Sequence, residues 1–388
     1  MDYGKMAVEM HLKSRGKIGT ASKVPLETQL DLSLAYTPGV AAPCLEIARD
    51  KARAYELTNK GNMVAVVSDG TAVLGLGNIG PEGAMPVMEG KAVLFRELAG
   101  IDAWPICLAT QDPDEIIMIV RNLAPTFGGI NLEDISAPRC FYIEEALMDI
   151  GIPVFHDDQH GTAVVTLAAV TNALRVVDKD FRDVKVVFSG AGASGIACAK
   201  ILQDRGVLNI ILVDTKGIIY KGRDGLTPIK EEMAETTNPD RIKGDIHDAM
   251  KGADVFIGLS VAGLLGVDDI RAMREDAIVL AMANPDPEIM PEEAIQGGAK
   301  VVGTGRSDLP NQVNNVLGFP GIFRGALDVR AARITMGMKI AAATAIANVI
   351  PEPTPDDIIP YPLNPAVVPA VAEAVAGAWK TGAASPSS

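Results

Sequence analysis

The chain has 388 residues, 48% of them hydrophobic and 22% charged, which is enough apolar material for two domains with substantial cores. Its net charge of −14 argues against nucleic acid or an anionic membrane as partner, because both need a basic footprint. No uncharged apolar run approaches the roughly 18 residues that a membrane span needs.

The first residues, MDYGKMAVEMHLKSRGK, contain no apolar stretch of the kind that marks a secretory leader, and residues 1 to about 60 read as helices and loops. Four widely spaced cysteines, Cys44, Cys107, Cys140 and Cys198, form no CxxC pair and suit a reducing cytoplasm. From Val64 a pattern repeats: a short apolar run, a polar or acidic tip, then a helical stretch. Val64–Val67 ends on Ser68-Asp69-Gly70, and Ala103–Leu108 leads to a helix over Ile116–Leu123. Gly128–Leu132 ends on Glu133-Asp134, and Ile152–Phe155 ends on His156-Asp157-Asp158. This is the signature of α/β structure with a parallel sheet, whose ligands collect beyond the carboxyl ends of the strands. Glu133, Asp134 and Asp158 therefore stand where carboxylates converge, a donor set suited to Mg2+ or Mn2+; acids that cap helices or face solvent are the competing reading. His156 and His160 are four apart, but the intervening Asp157-Asp158 and the following Gly161 argue against a helix, and no zinc spacing is present.

A glycine pattern occurs twice. Gly75-Leu76-Gly77-Asn78-Ile79-Gly80 is followed by Pro81-Glu82-Gly83, so no helix is expected to start on its last glycine, and it reads as a glycine-rich loop. The second has the full context. Val184–Phe188 leads into Gly190-Ala191-Gly192-Ala193-Ser194-Gly195, then a helical stretch, then Ile210–Val213 ending on Asp214. Gly190 permits a tight turn, Gly192 allows close backbone approach to a pyrophosphate, and Gly195 lets helix and strand pack closely. The free N–H groups of Ala193, Ser194 and Gly195 face the phosphates. Asp214, about 20 residues on, is placed to accept from an adenosine ribose. Thr162–Val177 is a helix that links the two domains. Further strands follow at Asp254–Gly258, Ala277–Ala281 and Lys300–Gly303. Beyond residue 318 come an Ala-rich buried helix (Met336–Val349), a proline-rich extended stretch (Pro351–Pro369), a last helix (Ala370–Trp379) and a tail, 381–388, expected to be disordered.

Several motifs together resemble malic enzyme in its short prokaryotic form, over roughly residues 20 to 370. They are Leu34-Ala35-Tyr36-Thr37-Pro38-Gly39-Val40-Ala41, Ser68-Asp69-Gly70 with Gly75-Leu76-Gly77, Asn131-Leu132-Glu133-Asp134, Phe155-His156-Asp157-Asp158-Gln159-His160-Gly161-Thr162-Ala163, Asn284-Pro285, and Asn314-Asn315-Val316 with Phe319-Pro320-Gly321. The resemblance implies a catalytic domain (1–160) that holds malate and a metal, a Rossmann-type NAD(P)-binding domain (161–318) and a C-terminal helical extension (319–388). It implies metal-dependent oxidative decarboxylation of L-malate to pyruvate and CO2, with NAD+ or NADP+ reduced. Its metal ligands carry over to Glu133, Asp134 and Asp158, its catalytic base to Lys91, its acid to Tyr36 and its substrate binders to Asn284 and Asn315. Asp157 is expected beside Lys91, and Thr162 and Asn284 join the glycine loop in holding the cofactor. It also implies a cytoplasmic homodimer, with Tyr36 as a residue that could cross into the partner's site.

One departure stands out. The longer family members carry a substrate-clamping arginine two residues after the Asp-Gly, whereas Asp69-Gly70 is followed here by Thr71-Ala72, so another cation or backbone donors must serve. Asp214 favours NAD by repelling a 2′-phosphate, but Lys216, Lys221 and Arg223 lie close behind and could offset it. An oxaloacetate decarboxylase using the same carboxylates, and a non-catalytic dinucleotide sensor, are the alternatives. The intact glycine loop opposes the first, and the presence of Tyr36, Lys91 and all three carboxylates opposes the second.

Overall fold

A computed structural model describes residues 2–382. Two parallel sheets organise it. The first has the order β2-β1-β3-β4, from β1 (Met63–Ser68), β2 (Asp102–Cys107), β3 (Gly129–Leu132) and β4 (Val154–His156). Strands β1, β3 and β4 are buried along nearly their whole length, as expected of short apolar runs covered on both faces. Their carboxyl ends carry Asp69, Glu133-Asp134 and Asp157-Asp158, so three acidic tips come from neighbouring strands.

The second sheet has the order β10-β9-β8-β5-β6-β7, built from β5 (Lys185–Ser189), β6 (Asn209–Asp214), β7 (Gly217–Ile218), β8 (Val255–Gly258), β9 (Ala277–Ala281) and β10 (Ala299–Thr304). All its pairings are parallel except β6 with the short β7. From β5 the chain moves to β6 on one side and later to β8 on the other. The glycine turn after β5 therefore lies at the point where strand order reverses, the place where such sheets bind ligands.

The Thr162–Val176 helix, buried at eleven positions from Ala163 to Leu174, runs between the sheets. It packs on the Ala193–Asp204 helix and on the C-terminal Met336–Asn348 helix. The Phe319–Asp328 helix packs in turn against Gly80–Ala99, where Phe95 meets Phe319 and Phe323 edge-on at 4.9 and 5.4 Å. One apolar core thus extends from the first sheet through the second. The N-terminal arm differs: its helices Tyr3–Ser14, Gln29–Ala35, Ala41–Arg49 and Ala54–Leu57 contain no buried residue. Among the described residues no helix is long and apolar enough to cross a membrane.

Four expectations need correction. A helix does start on the last glycine of the first glycine pattern: Gly80–Ala99, with Pro81 in its first turn, where a missing N–H costs nothing. The segment after His156 is helical after all, as a π-helical turn (Asp157–Gly161) that runs straight into Thr162–Val176. The last helix is longer than expected, Val367–Gly382, because Pro369 falls in its first turn and does not stop it. It therefore includes Thr381 and Gly382 of the expected disordered tail, and 383–388 lie outside the described residues. The antiparallel β7 had no counterpart in the apolar pattern, being two residues long.

Candidate active site

Glu133, Asp134 and Asp158 each place a carboxylate oxygen within 4.8 Å of the others. Glu133 and Asp134 are 3% and 4% exposed, and Asp158 is half-buried. The geometry is fixed from several sides. Asn131 donates its amide to Glu133 Oε2 at 2.8 Å, and the Asp134 backbone N–H donates to Asp158 Oδ2 at 2.8 Å. Asp134 adopts φ +53°, a left-handed conformation that a non-glycine residue seldom takes and that active sites tolerate. Crowding shows in the acidities. Burial, then the Asp158 charge, raises the Asp134 carboxyl to about 8, and burial pushes Glu133 well above the usual range. Asp134 Oδ2 is buried without a hydrogen-bond partner among the described residues. Three hard oxygen donors that repel one another and leave an unpartnered buried oxygen match a divalent cation of the Mg2+ or Mn2+ type.

Lys91, 7% exposed on the Gly80–Ala99 helix, reaches the same place. Its ammonium pairs closely with the Asp157 carboxylate, lies 3.2 Å from Glu133 Oε1 and sits 4.1 Å from the centre of the Phe319 ring. Burial works against the charge, but Asp157 and Glu133 outweigh it and hold the ammonium above its ordinary pKa. Asn315 donates its amide to the same Asp157 oxygen that Lys91 meets, so Asp157, fully buried, fixes both. Gly161 is required here: a Cβ would lie 1.9 Å from Asp157 Oδ1.

The other expected residues are placed less tightly. Tyr36 caps the Gln29–Ala35 helix at 68% exposure, and its hydroxyl makes no hydrogen bond among the described residues. Asn284 is exposed on a loop that follows β9, joined to Pro285 by a cis peptide. That loop meets the first glycine pattern, since a Cβ on Gly75 would stand 3.1 Å from the Asn284 carbonyl oxygen. Thr162 begins the helix between the sheets.

At the second sheet, a cavity of about 630 Å3 opens beside Ser189, Gly190, Gly192, Asp214, Ile246 and Ser260. The glycines act as their positions require. Gly190 has φ +103°, and a Cβ on Gly195 would sit 1.9 Å from the Gly190 carbonyl oxygen. Gly192 faces open space, leaving its backbone accessible. Asp214 is at the tip of β6 but is not free. Arg223 grips it with Nη1–Oδ1 at 3.0 Å and Nη2–Oδ2 at 2.6 Å, and Lys230 adds Nζ–Oδ2 at 2.7 Å. Despite the opposing effect of burial, these cations hold its carboxyl far below the ordinary range. The two sites touch: the Ser194 hydroxyl, at the N-terminus of the dinucleotide-side helix, donates to the Asp158 carbonyl at 2.7 Å.

Sequence reasoning passed over three groups. Arg139 brings a guanidinium to Asp69, Nη2–Oδ2 at 2.7 Å, while donating to the Gln111 carbonyl at 2.7 Å. It puts a cation at the Asp69-Gly70 turn, where none follows in sequence, and only the tertiary fold brings it there. Glu144, 9% exposed, accepts from Gln159, His160 and the His156 N–H, and so braces the turn that carries Asp157 and Asp158. Lys230, sixteen residues after Asp214 on the Pro228–Thr236 helix, comes back to it only through the fold.

A carboxylate triad beside a buried lysine, one serine hydroxyl away from a dinucleotide turn, defines a metal-assisted, dinucleotide-dependent oxidoreductase as the class of protein. Comparison with known proteins narrows the class. The N-terminal domain of malic enzyme matches residues 15–113 and 109–148, and the malic enzyme NAD binding domain matches 159–378. The chain belongs to the malic enzyme family. It is 57% identical to a bifunctional malic/malolactic enzyme of Bacillus subtilis over 99% of this chain and 95% of that one. It is 60% identical to an NAD-dependent malic enzyme of Geobacillus stearothermophilus over 95% and 78% of the two chains. The crystal structure of an NAD-dependent malic enzyme from Thermotoga maritima superposes with a TM-score of 0.93 at 50% identity, covering 96% of this chain and 99% of that one.

Proposed function

We infer that this protein oxidises and decarboxylates L-malate to pyruvate and CO2, with reduction of a nicotinamide dinucleotide. The observation that carries this reading is the Glu133/Asp134/Asp158 triad set against the Lys91–Asp157 pair and tied to the dinucleotide turn through Ser194. A divalent cation held by the triad would supply Lewis acidity toward the substrate's hydroxyl and carbonyl oxygens. Lys91 Nζ is the group that takes the proton from the C2 hydroxyl, and Asp157 with Asn315 holds it in position. Lys91 must be neutral for that step; burial favours neutrality and Asp157 and Glu133 oppose it, and the positive charge of a cation held by the triad would offset those carboxylates. Tyr36 Oη is assigned as donor of the proton to C3. The N–H groups at the start of Ala193–Asp204 face the pyrophosphate, and Asp214, Arg223 and Lys230 face the adenosine ribose. NAD suits the acid at the strand tip. Because Arg223 and Lys230 neutralise that acid, NADP is accepted as well.

Tyr36 is exposed on an arm that buries none of its helical residues, while Leu12, Leu26, Leu30 and Leu34 are each at least 66% exposed. So large an apolar surface suits a second copy of the chain, and with it a homodimer in which the arm brings Tyr36 to the partner's Lys91. Mixed Tyr36→Phe and Lys91→Ala chains test this: recovered activity supports sharing, and none counts against it. The reaction itself is tested by following NAD+ and NADP+ reduction separately with L-malate and Mn2+, with EDTA and Asp158→Asn as controls. Oxaloacetate decarboxylation without reduction would favour the lyase, and neither activity would favour the sensor.

A further inference from the structure

A second cavity, of about 380 Å3, lies behind the Asp157–Gly161 turn, between the Arg139–Leu147, Ala193–Asp204, Pro228–Thr236 and Met336–Asn348 helices. It lies at the small end of the range for organic ligands. Phe141, Met148, Ile196 and Met336 supply apolar wall. The charged groups around it are Glu144, Glu145, His160, Lys200, Glu232 and Lys339. Most are accounted for: Glu144 accepts from His160 and Gln159, and Lys200 pairs with Glu232 at 2.7 Å. Glu145 sits on the outer turn of its helix, exposed.

Lys339 is the exception. It is only 8% exposed, lines the cavity, and makes no ion pair or hydrogen bond among the described residues. Burial draws its ammonium down to about 8, with the Glu144 charge acting the other way. An ammonium that lines a cavity with no ion-pair or hydrogen-bond partner among the described residues offers an incoming anion a charge to meet. The surrounding charges decide what kind of anion. One unpaired cation faces a cavity edged by Glu144, Glu145 and Glu232, so a phosphate or dicarboxylate would bring a second negative charge that nothing neutralises. The apolar walls call for an uncharged body.

We propose that this cavity binds a compact monocarboxylate, its carboxylate on Lys339 and its apolar end among Phe141, Met148 and Met336. Short-chain acids and the monocarboxylate product of the reaction inferred above share this chemistry. Binding itself does not rest on that reaction. Gln159 and His160 line the cavity and follow Asp158 on the same turn, so an occupant would bear directly on the turn that carries this triad carboxylate.

The test uses the full chain and 4,4,4-trifluorobutyrate followed by 19F NMR, with and without saturating L-malate and 5′-AMP. The expected result is saturable binding that survives both competitors and weakens at least tenfold in Lys339→Met. Met148→Trp, which fills the mouth, is expected to weaken it similarly and guards against a folding defect in the first variant. Displacement by pyruvate would identify the product as the occupant's source, and displacement by butyrate alone would point to another short-chain acid. Absent saturation, binding abolished by L-malate or 5′-AMP, or undiminished binding in both variants would overturn the proposal. Both variants keep the residues assigned to catalysis, so their malate-dependent reduction separates a failure here from a failure of the functional reading.

Discussion

Cofactor choice is expected to turn on Lys230. At the tip of β6 the local charge is set by Asp214 against Arg223 and Lys230, two cations to one carboxylate. Arg223 is a poor residue to remove, because its Nη1 also donates to the carbonyls of Gly217 and Ile218 and its loss would take those bonds too. Among the described residues Lys230 pairs with Asp214 Oδ2 alone, and its side chain is 23% exposed, so Lys230→Ala leaves the Arg223–Asp214 grip intact and lowers the local charge from net positive to neutral. A charge-assisted hydrogen bond contributes about 1.5–3 kcal/mol. The ratio of kcat/KM for NADP+ to that for NAD+ should therefore fall roughly tenfold to a hundredfold. The effect should appear mainly as a higher KM for NADP+, since the ribose end is remote from the chemistry. Initial rates with each dinucleotide at saturating L-malate and Mn2+ measure it. A ratio that stays constant or rises would refute the assignment of Lys230 to the ribose end of the cavity.

Asp158→Asn should weaken Mn2+ binding by more than the roughly 10–100-fold typical of outer-shell changes, and calorimetry on the purified protein reads this independently of turnover. Gly195→Ala puts a Cβ 1.9 Å from the Gly190 carbonyl, so the turn must open; the expected cost is about 1–3 kcal/mol in thermal unfolding, together with weakened dinucleotide binding. Lys339 gives a pH signature. Its folded-state value, about 8, lies below the ordinary 10.5, so between these values the unfolded chain holds a proton that the folded chain has released. Stability contributed by this residue should therefore rise with pH across that window, by about 3 kcal/mol at most. Urea unfolding at pH 8 and pH 10 should show the rise in the wild-type chain, and its absence from the difference between wild type and Lys339→Met would refute it.

Much of the fold was legible because its strands are short, apolar and buried on both faces, a pattern that survives in a single sequence. The acidic tips at Glu133-Asp134 and Asp157-Asp158 follow from the same logic, since strand ends in a parallel sheet face one edge. Pairings between distant residues were not legible. Nothing local tells that Asn315 shares Asp157 with Lys91, that Arg139 reaches Asp69, or that Lys230 rests on Asp214. Proline also misled twice. Pro81 and Pro369 read as helix breakers, yet both fall in first turns, where their rings and missing N–H groups are tolerated. At Asp157–Gly161 the paired acids and the glycine argue against a helix, yet the chain takes a single π-helical turn there, a geometry found frequently at functional sites.

The single hydroxyl of Ser194 has a thermodynamic consequence. It belongs to the helix that follows the glycine turn, yet its acceptor is the carbonyl of Asp158, a member of the carboxylate triad. Any adjustment of that helix on nucleotide binding moves a donor on which the Asp158 backbone depends, and any settling of Asp158 around a cation moves it in return. Affinities joined in this way change by the same factor in both directions. The nucleotide should therefore change Mn2+ affinity by the same factor as Mn2+ changes that of the nucleotide, and calorimetric titration of each with and without the other should show a smaller factor in Ser194→Ala.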